Sequence, residues 1–219
     1  MMASLDDRST LHVEGKDDLY AISNLLVRYG IDYDQNPWPG CYPEIKDIGG
    51  KDPLIDGIET AVSVSNGRSI GFVLDANSAL QDRWKAVSFR LNNVGVEVPD
   101  TIPPDGFIGE TPTFQARVGV WLMPDNQREG TLECFLMDVI QENDFLLPYA
   151  RESTEHARQL GARFSENDNN KAILHTWLAW QENPGLPYGS AIRTRYFRHD
   201  SPAAQSFVVW FRNLFNIDH

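Results

Sequence analysis

Cysteine is nearly absent: only Cys41 and Cys134 occur in 219 residues. They stand in unrelated contexts, without disulfide-framework or zinc-ligand spacing, and a reduced, cytoplasmic chain is the expectation that follows. Long apolar runs are missing too. None approaches the roughly 20 residues a membrane helix needs, so no membrane association is expected. The start, MMASLDDRST, lacks the basic stretch and apolar core of a secretory leader. No Gly-rich phosphate loop of the Walker kind occurs, which argues against ATP hydrolysis. His12, His156 and His175 have no partners at ligand spacing, and no Ser-His-Asp arrangement can be argued from spacing. Positive charge is also in deficit. A net charge of −12 argues against strong non-specific attraction to nucleic acid, whose affinity comes largely from phosphate neutralisation. Divalent ions held by carboxylates would change that sign locally. Internal repeats, low-complexity tracts and clear linkers are lacking, so one domain over residues 1–219 is expected, with a core over about 11–140.

What is present is an alternation of short apolar runs with helical periodicity. Residues 11–13 read as a buried strand, and residues 17–29 as a helix with Leu19, Ile22, Leu25, Leu26 and Tyr29 at spacings of three and four. Asp17 or Asp18 can cap that helix, and Gly30 ends it. A loop over 31–43, a brief strand over 44–48 and a helix over 54–64 follow. After the Asn66-Gly67 turn come a strand over 70–74 and a helix over 81–91. Residues 93–112 are rich in proline and glycine and read as loop, with one edge strand at 95–98. A third clear strand spans 117–123, and Thr131 opens a helix running through Ile140. This order predicts an α/β fold with a mostly parallel central sheet flanked by helices. Residues 148–219 read as a helical C-terminal extension, ending in an amphipathic helix over 202–215.

Two strands end on acids: LHVEGKDD delivers Glu14, and IGFVLDAN delivers Asp75. Ligands of open α/β sheets collect outside the carboxyl ends of the strands. Mg²⁺ takes oxygen ligands and is usually held by one or two carboxylates together with substrate phosphates. Glu14 and Asp75 are therefore the candidate catalytic metal ligands, with Gly15 permitting close backbone approach. Asp18 on the first helical turn and Glu133 in the helix after the third strand are further candidate ligands. Each also has a structural reading, Asp18 as a helix cap and Glu133 as a complement to the helix dipole. Asp125 fits a turn as well as it fits a ligand. Lys16 lies near a strand end. The segment IRTRYFRH supplies Arg193 and Arg195, either a phosphate-facing patch or a solvated basic face.

VEGKDD before a helix and FVLDAN closing a strand together resemble the Toprim fold. That catalytic domain is shared by topoisomerases, bacterial primases, ribosomal-RNA maturases and overcoming-lysogenization-defect nucleases, and the chain also resembles standalone Toprim-like proteins of unknown function. The resemblance covers residues 11–140. It implies that Glu14 and Asp75 bind Mg²⁺ (or Mn²⁺), with Asp18 as an acidic companion. Asn77 stands where the second acid of the family's Asp-x-Asp pair belongs; an amide oxygen can coordinate but brings no charge. The implied function is a metal-dependent nuclease on DNA or RNA; Lys16, Arg193 and Arg195, read from their own charge and position, are the candidate substrate-phosphate contacts. The alternative is a non-catalytic Toprim-like module that binds metal, nucleotide or a partner protein.

Overall fold

Apolar runs bounded by turn residues become the inner strands of a five-stranded sheet. The computed structural model describes residues 8–35 and 38–218; the segment 1–7, read above for the lack of a leader, and Pro37 of the loop lie outside the described residues. Strands β1 (Thr10–Val13), β2 (Glu44–Asp47), β3 (Ile70–Asp75) and β5 (Ala116–Met123) run parallel, and β4 (Phe107–Thr111) pairs antiparallel with β5. Their order is β2-β1-β3-β5-β4. The inner strand β3 is buried over its first five residues, as expected where helices cover both faces of a parallel sheet.

Helix α1 (Lys16–Arg28) lies on one face, and α2 (Lys51–Ser63) and α3 (Leu80–Asn93) on the other. The chain runs from β1 through α1 outward to β2, then crosses back through α2 to β3 on the far side of β1. The strand order reverses at that point, so the carboxyl ends of β1 and β3 flank the crevice where such sheets collect ligands. Among the described residues, five further α-helices complete the fold: α4 (Leu132–Asp138), α5 (Leu146–Gln159), α6 (Asn169–Leu178), α7 (Tyr188–Arg193) and α8 (Pro202–Phe215). Residues of α6, α7 and α8 share one buried cluster with Leu11, Val13, Val73 and Trp121 of the sheet. The C-terminal helices therefore form one wall of the main core. Ser201 caps α8 by accepting from the Ala204 amide at 3.2 Å, and Pro202 takes the first turn.

The edge strand falls at residues 107–111, not at 95–98. Gly95, at φ +78°, instead closes α3: the Val96 amide donates back to the Leu91 carbonyl at 3.1 Å, the left-handed glycine stop of a helix. Helix α1 likewise begins earlier than its periodicity suggests. Gly15 is its N-cap, and Asp18 takes the third helical position, its Oδ2 accepting from the Gly15 amide at 3.1 Å. No helix of the described residues is long and apolar enough to cross a membrane.

Candidate functional site

The turn after β1 is tied down by backbone bonds. The Ile48 amide donates to the Val13 carbonyl at 3.0 Å and the Gly50 amide to the Glu14 carbonyl at 2.7 Å. This fixes the Gly49-Gly50 loop, with both glycines at positive φ, beside the end of β1. Glu14 reaches across to β3, its Oε1 accepting from the Asp75 amide at 2.9 Å. Asp75 reaches in turn to α4, its Oδ1 accepting from the Leu132 amide at 2.8 Å. That bond satisfies a donor otherwise orphaned at the helix start. One oxygen of each carboxylate is thus committed to a backbone donor, and the second has no hydrogen bond among the described residues.

Glu14, Asp18, Asp75 and Glu133 line one pocket of about 500 Å³, together with Lys16, Asp17, Asp47 and Lys171. Glu133 is buried at 8% exposure. It accepts from the Thr131 hydroxyl at 2.7 Å and the Tyr188 hydroxyl at 3.3 Å. Burial, then the Glu133 carboxylate, push the Tyr188 phenol up, so that hydroxyl keeps its proton. Lys171 Nζ stands 3.6 Å from Asp17 and 3.7 Å from Glu133.

Crowding of acids at low solvent access has a direct electrostatic result. Burial, then repulsion from Glu14 and Glu133, raises the Asp18 carboxyl to about 7. Burial, then Asp18, Glu14 and Glu133, holds Asp75 well above the usual carboxylate range. Burial also raises Glu14, against partial relief from the Asp75 amide and from Arg83 and Lys51. Arg83 sits behind the site, its Nε donating to the Asp75 carbonyl at 3.0 Å. Glu14, Asp18 and Asp75, which resist ionising together, make with Glu133 a set of oxygen donors suited to a hard divalent cation. Among the described residues, no group of three or more His, Cys, Asp or Glu side chains is arranged as a ready cage. The fit is therefore one of donor chemistry, with the carboxylates held meanwhile by amides, Tyr188 and Lys171.

Of the residues singled out in the sequence, Glu14, Lys16, Asp18, Asp75 and Glu133 come together in this pocket. Asn77 does not line it. At φ +53° it forms a two-way backbone bridge with Gly130, at 2.7 and 2.8 Å, and its side chain is exposed. That bridge anchors the loop leading to α4. Arg193 pairs with Asp34 at 2.6 Å and donates to Asn24, on the outer side of α1. Arg195 lines a separate pocket with Arg28 and His199, toward the far end of α1. Asp125 is a turn residue, accepting from the amides of Gln127 and Arg128 and pairing with the Arg128 side chain. Sequence reasoning missed Asp47, Arg83, Lys171 and Tyr188. Only Asp47, closing the brief strand β2, carried the strand-end signal that found Glu14 and Asp75.

No curated protein and no solved structure matches this chain. A family model does, over residues 8–216, which include every residue of the pocket. The chain belongs to the family described as protein of unknown function (DUF3226).

Proposed function

We propose that this chain is a Mg²⁺- or Mn²⁺-dependent phosphoryl-transfer protein of Toprim type, a nuclease acting on DNA or RNA in a reduced cytoplasm. The observation that carries this reading is the convergence of Glu14, Asp18, Asp75 and Glu133 at the carboxyl ends of β1 and β3. These four side chains would hold the cation, which when bound would supply Lewis-acid polarisation of a phosphoryl group and a water activated for attack. Glu14 and Asp75 are the catalytic pair. Lys16 and Lys171, at the pocket's rim, steady the substrate phosphate. Arg193 and Arg195 are too far round α1 to act at the same phosphate and are left to more distant contacts along a polymer.

The experiment is a cleavage assay on single- and double-stranded DNA and RNA, with Mg²⁺, Mn²⁺ or chelator. Wild type is expected to cleave at least one substrate only when the metal is present. Glu14→Gln is expected to lose at least about 100-fold, the scale of removing one group that stabilises transition-state charge. Lys171→Ala is expected to slow cleavage while leaving cation binding intact. Cleavage that persists in chelator or in Glu14→Gln would sink the reading. A second reading, a non-catalytic module that binds metal, nucleotide or a protein partner, is favoured by Asn77 lying outside the pocket's lining and Lys171 standing between two acids. Cation binding without cleavage on all four substrates selects it.

A further inference from the structure

Behind the acidic pocket stands a polar wall built by the C-terminal helices. Tyr188, the first residue of α7, is 2% exposed, and its ring packs in the main core. Gly189 lets α7 lie close against α1: a β-carbon there would meet the Tyr20 carbonyl oxygen at 2.8 Å and Asn24 Nδ2 at 2.9 Å. The Tyr188 hydroxyl is thereby delivered to two side chains. It donates to Glu133 Oε1 at 3.3 Å and stands 3.3 Å from His175 Nε2. A phenol is protonated at neutral pH and has one hydrogen to give. With that hydrogen on Glu133, the phenol oxygen accepts from the imidazole, which places the ring hydrogen of His175 on Nε2. His175 follows Lys171 by one turn on the same face of α6, and Lys171 also reaches Glu133. Neither Tyr188 nor His175 is among the described residues that line the pocket. They can act on a bound ion only through Glu133.

We propose that Tyr188 is a positioning residue of the cation site, its hydroxyl held by His175 so that it aims the Glu133 carboxylate at the ion. This rests on the cation reading of the pocket. A buried hydroxyl costs free energy unless it is bonded, and a phenylalanine would serve the packing alone. The two bonds of this hydroxyl run to a pocket carboxylate and to an exposed imidazole. Thr131 holds the other carboxylate oxygen, Oε2, at 2.7 Å. With a hydroxyl on each oxygen the carboxylate plane is fixed, and each oxygen keeps a further lone pair for a cation. Outer hydrogen bonds of this kind orient metal-binding side chains, and their loss costs about 10–100-fold in metal affinity.

The test is calorimetric titration of Mn²⁺ at pH 8 into wild type, Tyr188→Phe, His175→Ala and His175→Gln, with the melting temperature of each in chelator. Tyr188→Phe keeps the ring. It is expected to bind Mn²⁺ at least about tenfold more weakly than wild type, with an unchanged or higher melting temperature in chelator. His175→Ala is expected to weaken binding by a smaller factor. His175→Gln, whose amide nitrogen can take the place of Nε2, is expected to restore it. Wild type that binds no Mn²⁺ removes the cation reading and this proposal with it. Binding by wild type that Tyr188→Phe or His175→Ala leaves unchanged overturns this proposal alone. So does weaker binding by Tyr188→Phe that comes with a lower melting temperature in chelator, which would assign the hydroxyl to packing.

Discussion

Asp18→Asn raises the melting temperature of the cation-free protein at pH 8 and flattens its dependence on pH. Asp18 is 9% exposed and its carboxyl is raised to about 7 by burial and by Glu14 and Glu133. The folded protein therefore holds a proton that the unfolded chain releases near pH 4. Where the native state binds more protons than the unfolded one, stability falls as pH rises. The window runs from about pH 4 to about pH 7, with the full penalty present above it. A shift from 3.8 to about 7 corresponds to a penalty on the order of 4 kcal/mol. Glu14 and Asp75, raised for the same reason, add in the same direction. Asn removes the charge and keeps an oxygen to accept from the Gly15 amide, so the start of α1 is preserved. Melting curves in chelator from pH 5 to pH 8 should show wild type losing stability and Asp18→Asn losing much less. Added Mg²⁺ should stabilise wild type more at pH 8 than at pH 5, because protons compete for the same oxygens. A flat wild-type profile, or a less stable Asp18→Asn protein at pH 8, contradicts this assignment.

The second large effect lies where α8 crosses the sheet. Gly71 of β3 and Gly119 of β5 are register partners, and together they make a shallow trough filled by Leu214. A β-carbon at Gly119 would meet Leu214 Cδ2 at 2.5 Å, and one at Gly71 would meet Leu11 Cδ1 at 2.6 Å and Leu214 Cδ2 at 2.9 Å. Leu214 itself is fully buried. Leu214→Ala is expected to cost about 2–5 kcal/mol through lost burial and the cavity left behind. Gly119→Ala is expected to cost about 1–3 kcal/mol by overpacking. The two changes are complementary in volume, so the double variant should be more stable than the sum of the single effects by at least about 0.5 kcal/mol. Urea denaturation of the four proteins measures this. Simple additivity would mean that α8 does not seat on the glycine pair.

The same packing explains which parts of the fold could be read from the sequence. Strands β1, β3 and β5 are apolar runs stopped by turn residues, and α1 and α8 carry strong three-four periodicity, so their local signal agrees with their tertiary role. Strand β4 has no such signal. FIGET alternates poorly and gains its place by pairing with β5 across a tight turn at Gln115, which adopts φ +52°. Helix α7 is six residues long, too short for periodicity to show, yet it delivers Tyr188 to Glu133. Glu14 and Asp75 were legible because strand ends in a parallel sheet have a fixed relation to its ligand crevice. Lys171 was not, because α6 reaches the pocket only through the long-range packing of the C-terminal helices. Asn77 shows the opposite failure. Two residues after a strand-end acid it matches a ligand spacing, but its left-handed backbone commits it to the bridge with Gly130.

A divalent cation in the acidic crevice between β1 and β3 is what the proposed phosphoryl transfer requires. Calorimetric titration of Mn²⁺ and Mg²⁺ into wild type, Glu14→Gln and Asp75→Asn at pH 8 tests it most directly, since it needs neither substrate nor turnover. Saturable binding to wild type that both substitutions weaken by at least about tenfold is the predicted result. Absence of binding to wild type, or equal binding by all three proteins, would contradict it.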